Sequence, residues 1–149
     1  MPLVPCSSHT LWCAANGRFF VMKTKLIFDF YNTLYSPKTG KFFRGMSTLL
    51  NKLTTQYKLI LITTSNPRRE EQIRRLKLSR YFSPVILCPK KSLSLFRNYV
   101  DLTTIIIGDR QEEEINIASK LKLQSIKVNP LLENPVKTIR QQLSPGGLK

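Results

Sequence analysis

Five short apolar runs, at 25–29, 58–63, 84–88, 103–108 and 124–128, recur along this chain and limit it to very few folds. Between them lie charged, helix-compatible stretches at 44–56, 67–79, 92–100 and 112–122, the connection length that parallel βαβ units require. Leu59-Ile60-Leu61-Ile62 and Ile105-Ile106-Ile107 are apolar throughout rather than alternating. Strands buried on both faces have that composition. The pattern predicts an α/β protein: a three-layer, Rossmann-like open parallel sheet with helices on both faces. A further helix is expected from Val136 to Leu143 after Pro135, with Pro145-Gly146-Gly147 as a frayed end. No internal repeat interrupts the series, and 149 residues suit one domain with a full core.

Open α/β sheets bind ligands outside the carboxyl ends of their strands, so the residues at those tips matter most. Lys25-Leu26-Ile27-Phe28 ends in Asp29, and Thr103-Thr104-Ile105-Ile106-Ile107-Gly108 ends in Asp109, with Glu112, Glu113 and Glu114 following. A lone Asp in such a place reads as a turn cap, and a run of Glu as a helix N-terminus favoured by the macrodipole. Two strand-tip acids in one chain call for more than that.

With those acids in place, the chain resembles the haloacid dehalogenase (HAD) superfamily, most of whose members are Mg²⁺-dependent phosphatases. Four motifs match in order between Lys25 and Pro130. Asp29-Phe30-Tyr31-Asn32-Thr33 stands for the DxDGT motif; Thr63, with Thr64 as the alternative, for the strand-tip Ser or Thr; Lys90, at KPxxxxF spacing from Phe96, for the motif lysine. Gly108-Asp109-Arg110 followed by Glu114 stands for the final acidic motif, with Glu for the usual Asp. The resemblance implies Asp29 as nucleophile and Mg²⁺ held by Asp29, the Tyr31 carbonyl and Asp109. It implies Thr63 or Thr64 and Lys90 on the phosphoryl group, with Glu114 or Glu113 behind them. The chemistry is coherent: a carboxylate attacking phosphorus needs a cation to neutralise itself and the incoming phosphate, and Mg²⁺ takes carboxylate, phosphate and water oxygens. A hydroxyl and an ammonium would hold the remaining phosphoryl oxygens.

Tyr31 departs from the pattern, since phosphatases of this superfamily carry a second Asp there as general acid and base. A phenol is a poor base near neutrality, and losing one general acid–base costs on the order of 10²–10⁴-fold. Acyl phosphates and phosphoanhydrides would suffer least. True dehalogenases of the superfamily do carry Tyr here, but they use a helical cap, and this chain has no room for one. Leu34 to Lys58 holds only a turn and one helix; Thr64 to Pro89 holds a helix, a loop and a strand. Tyr35 to Phe43, with Pro37-Lys38-Thr39-Gly40 as its turn, is expected to form a small hairpin. Members without a cap accept large substrates or complete the site by forming homo-oligomers. The expected function is therefore a Mg²⁺-dependent phosphate monoester or acyl phosphate hydrolase. The alternatives are a phosphoryl-ligand-binding or regulatory protein with weak turnover, a dehalogenase-like hydrolase and a polynucleotide-end phosphatase.

The net charge of +15 brings in a further partner class. Arg68, Arg69, Arg74, Arg75, Lys77 and Arg80 lie on or beside the second helix, where they would attract polyanions by charge alone. A solvated helix face is the plainer account. Cys6, Cys13 and Cys88 form no CxxC pair, which argues for a reducing compartment, the cytoplasm, and against a disulfide or zinc scaffold. Residues 1–21, with Arg18 as their one charge, are expected as a disordered extension or an upstream start. The HAD-like domain is expected over 22–143 and a flexible tail over 144–149.

Overall fold

The computed structural model describes residues 23–144 in full and, before them, the backbone of three strands. These are β1 (Leu3–Pro5), β2 (Leu11–Ala14) and β3 (Phe19–Val21), which pair antiparallel in a sheet of their own. The rest of residues 1–22, and 145–149 in the expected tail, lie outside the described residues.

Each apolar run forms a strand of the main sheet: β4 (Thr24–Phe28), β7 (Tyr57–Thr64), β8 (Val85–Cys88), β9 (Ile105–Gly108) and β10 (Gln124–Lys127). The order is β10-β9-β4-β7-β8, all parallel. From β4 the chain first builds toward β7 and β8, then returns to place β9 and β10 on the other side. The reversal leaves a crevice at the carboxyl ends of β4 and β9, the topological switch point where such sheets take ligands.

Side chains alternate across the sheet, and both sides are apolar. Leu26, Phe28, Leu59, Leu61, Ile105 and Ile107 face one layer, while Ile27, Ile60, Ile62 and Ile106 face the other. Period two thus splits an unbroken apolar run between two cores. The first layer is covered by α1 (Met46–Leu53), α2 (Pro67–Arg75) and α5 (Pro135–Leu143), through Leu50, Ile73, Val136 and Ile139. The second is covered by α3 (Leu93–Arg97) and α4 (Asn116–Lys120), through Phe96, Ile117 and Ala118. Tyr81 and Phe82 are buried in the first core.

Two short segments between elements bear on the crevice. After β4 the chain turns tightly: the Leu34 and Tyr35 amides donate to the Phe30 carbonyl at 3.0 and 3.1 Å, and Asn32 takes a left-handed φ of 62°, which Asn tolerates better than most residues. The expected hairpin follows as β5 (Tyr35–Ser36) and β6 (Lys41–Phe42), closed by Gly40 at φ 71°. Between β4 and β7 lie only this hairpin and α1; between β7 and β8 lie α2 and the short 3-10 helix Leu78–Arg80. No helix among the described residues is long and apolar enough to cross a membrane.

Candidate active site

Asp29 follows β4 directly, and its amide donates to the Ile107 carbonyl of β9 at 3.1 Å. Asp109 follows β9 directly. The two predicted acids therefore straddle the switch point on adjacent strands. Glu114 joins them: carboxylate oxygens of Asp29, Asp109 and Glu114 all lie within 4.8 Å of one another. Asp29 and Glu114 are buried and Asp109 is half-buried.

Glu114 reaches the cluster through a local departure from α-helical geometry. Residues Gln111–Ile115 form one π-helical turn ahead of α4, a form concentrated at functional sites. It turns Glu114 inward, while Glu112 is exposed and Glu113 is partly so. Gly108 makes the approach achievable, since a Cβ there would come within 2.7 Å of Glu114 Cγ.

Of the two neighbouring lysines, the structure brings Lys91 to the acids, where Lys90 was expected. Lys91 Nζ donates to Asp29 Oδ1 at 2.6 Å and to Glu114 Oε1, and Glu113 Oε2 lies 3.7 Å away. Lys90 is exposed. After β8 the bend at Pro89 and Lys90 puts the second lysine of the pair, not the first, toward the crevice. Adjacent lysines are indistinguishable until that bend is known.

Thr63 and Thr64 end β7 beside the same crevice, but neither hydroxyl is free. Thr63 is fully buried, and its Oγ1 accepts from Arg69 Nη1 at 3.2 Å. The same nitrogen donates to the Thr64 carbonyl at 2.8 Å and to Thr64 Oγ1. Arg69, expected among the surface arginines, instead turns inward and lies over the Tyr31 ring, 4.1 Å from its centroid. The Tyr31 hydroxyl donates to Gln72 Oε1 at 2.6 Å. Sequence reasoning passed over Arg69 and Gln72, although helical spacing held the signal. Buried Gln72 and Ile73 stand three and four residues after Arg69, so all three share one face of α2. Asn66 caps that helix by accepting from the Arg69 amide at 2.8 Å, with Pro67 at the first position.

Asp29, Tyr31, Asn32, Thr64, Arg69, Lys91, Asp109, Arg110 and Glu113 line a cleft of about 140 Å³. Its electrostatics favour a cation. Burial, then the charge of Asp29, pushes the Asp109 carboxyl up to about 6. The same two causes raise Glu114. Burial works against the Lys91 ammonium, but the Asp29 and Glu114 carboxylates outweigh it and its pKa rises. One ammonium among three carboxylates leaves the cluster short of positive charge. The donors are all hard oxygens, so a small divalent cation such as Mg²⁺ fits them better than a soft metal does.

No family model and no curated protein matches the chain. Among solved structures, it is similar to a candidate HAD-hydrolase, YfnB from Bacillus subtilis bound to magnesium, at 19% identity and a TM-score of 0.54. The likeness covers 63% of this chain and 47% of YfnB, so the chain matches about half the length of that protein. The core domain of a candidate phosphoglycolate phosphatase from Streptococcus pneumoniae TIGR4 shares 19% identity, with 72% of this chain and 80% of that one covered and a TM-score of 0.49. The likeness is one of fold: the chain shares with YfnB an α/β architecture built on a parallel sheet.

Proposed function

We propose that this protein is a Mg²⁺-dependent phosphoryl hydrolase that acts through an aspartyl-phosphate on Asp29. The observation that carries the reading is the buried cluster in which Lys91 bonds both Asp29 and Glu114 while Asp109 completes three carboxylates around one point. Asp29, the Tyr31 carbonyl and Asp109 would hold Mg²⁺, whose charge would offset that of the nucleophile and of the phosphoryl group. Lys91 fixes the orientation of the Asp29 carboxylate through its hydrogen bond.

The reaction then divides in two. An Asp29 carboxylate oxygen bonds to phosphorus as the bond to the leaving-group oxygen breaks, and that oxygen departs with the bonding pair. Water next attacks phosphorus, the bond to Asp29 breaks, and hydrogen phosphate leaves with the carboxylate restored and one proton released to solvent. Neither half has a carboxylate two residues after Asp29 to move a proton. The Tyr31 hydroxyl already donates to Gln72. Leaving groups stable without a proton, such as the carboxylate of an acyl phosphate, are therefore the ones this site would serve, and the second half would be slow. That same observation favours a second reading, a phosphoryl-binding protein with little turnover. The shallow insertions around the crevice suit a large phosphorylated substrate, or a second copy of the chain that completes the site.

The test is Mg²⁺-dependent phosphate release from acetyl phosphate and an aryl phosphate, with Asp29→Asn as control. Release that requires both Mg²⁺ and Asp29, and is faster with acetyl phosphate, supports the reading. A folded protein that releases phosphate from neither overturns it, and Mg²⁺-dependent phosphate binding without release selects the binding protein.

A further inference from the structure

Arg69 is fastened through Nη1 and has an unpaired donor at Nε. Its Nη1 donates to the Thr64 carbonyl and to the hydroxyls of Thr63 and Thr64. Its guanidinium carbon lies over the Tyr31 ring, 4.1 Å from the centroid, and the Tyr31 hydroxyl is tied to Gln72. Nε is buried and has no hydrogen-bond partner. Among the described residues no carboxylate pairs with this guanidinium, although Arg74 and Arg110 each pair with a Glu. A buried donor left without an acceptor is costly and rare. Here it belongs to a residue that lines the same cleft as Asp29 and Lys91.

The geometry points to Arg69 as the oxyanion-binding residue of this cleft: its guanidinium, unpaired with any carboxylate, takes oxygens of a substrate phosphate group. This assignment rests on the phosphoryl reading above and adds the residue that grips the substrate. The role expected of Lys90, and of a lysine in general, has moved. Lys91 spends its ammonium on Asp29 and Glu114, and the Thr63 hydroxyl is sealed behind Arg69. The guanidinium fork matches phosphate geometry in a way that an ammonium does not. Tyr31 accordingly acts as a positioning residue, a flat platform that holds the fork at the cleft. The argument covers phosphate oxygens in general, whether on the transferred group or on a second anionic group of the same substrate.

The experiment titrates inorganic phosphate, with Mg²⁺ present, into the full chain and its Arg69→Ala and Arg69→Lys variants by calorimetry. Thermal unfolding is followed for each, and acetyl phosphate turnover is measured in parallel. A lost charge-assisted bond predicts phosphate binding weaker by about 10–100-fold in Arg69→Ala, with Arg69→Lys recovering little because it lacks the fork. If Arg69→Ala does not fold, Arg69→Lys alone carries the test. Phosphate binding within twofold of the parent in either folded variant overturns the assignment, as does a parent that binds no phosphate. The two proposals separate cleanly. Arg69-dependent phosphate binding without turnover sinks the hydrolase reading and keeps this one, and unchanged turnover in Arg69→Ala does the reverse.

Discussion

The Lys91 side chain is only 2% exposed between Asp29 and Glu114, whereas Lys90 stands in solvent. Removing one partner of a buried ion pair leaves uncompensated charge, which costs about 3–5 kcal/mol. Lys91→Met is expected to lose that much in chemical denaturation and to lose turnover, while Lys90→Ala stays within about 0.5 kcal/mol of the parent. Equal effects of the two substitutions would contradict the geometry. Tyr31 gives a second comparison of this kind. If it serves as a platform for Arg69, Tyr31→Phe keeps the ring and is expected to slow turnover by less than about threefold, a small fraction of what a general acid–base contributes. Any larger effect should fall on KM. Turnover slowed by about a hundredfold or more would mark the hydroxyl as a proton carrier instead. Both outcomes are read from steady-state rates on acetyl phosphate.

The segment around β9 links local structure to the site at both of its ends. At its carboxyl end, Gly108 leaves room for Glu114, whose Cγ would lie 2.7 Å from an added Cβ. Gly108→Ala must displace Glu114 or the π-helical turn, and overpacking of this kind costs about 1–3 kcal/mol. The expected result is lower stability together with weaker Mg²⁺-induced stabilisation in a melting assay. At the amino end, Asp101 organises the entry turn. Its Oδ1 accepts from the Thr103 amide at 2.9 Å, the Thr103 hydroxyl at 2.8 Å and the Thr104 hydroxyl at 3.2 Å, and Lys25 lies 3.7 Å away. Burial alone would raise this carboxyl, but the Thr103 hydrogen bonds and Lys25 outweigh it and the pKa falls. A carboxyl depressed on folding adds stability above its unfolded pKa of about 4, and that stability disappears as pH falls through the folded value. Asp101→Asn is therefore expected to flatten the acid limb of a stability–pH curve below pH ~4 and to leave the active site intact. An unchanged acid limb would show that the turn does not titrate as described.

The whole molecule carries a net charge of +15, and the residues that express it at the surface differ from those the composition suggested. Arg68, Arg75, Lys77 and Arg80 are exposed around α2 and the turn that follows, Arg74 is paired with Glu71, and Arg69 is withdrawn into the cleft. Such a patch should hold a single-stranded oligonucleotide by counterion release, with affinity that falls steeply between about 50 and 200 mM salt. Anisotropy titrations are expected to show that salt dependence unchanged in Asp29→Asn and reduced in an Arg75→Ala, Lys77→Ala, Arg80→Ala triple variant. Binding that resists salt, or that requires Asp29, would contradict an attraction based on charge alone.

Periodicity and strand-tip position were enough to read the architecture from the chain. Unbroken runs such as Leu59 to Ile62 can be buried only with a helix layer on each side, and an acid ending such a run must stand at a sheet edge. Sheet order, the pairing of Asp29 with Asp109 across the switch point and the inward turn of Glu114 follow from which strands meet, information that no local window contains. The same limit separates Lys91 from Lys90 and hides Arg69 among surface arginines. One residue's shift in a turn, or about 100° of helix rotation, changes which side chain is buried while leaving composition and spacing the same. Local pattern sufficed for the layers and for the strand tips that bear the acids. Which neighbouring cation faces them depends on the folded chain, because burial beside a carboxylate is set by backbone direction.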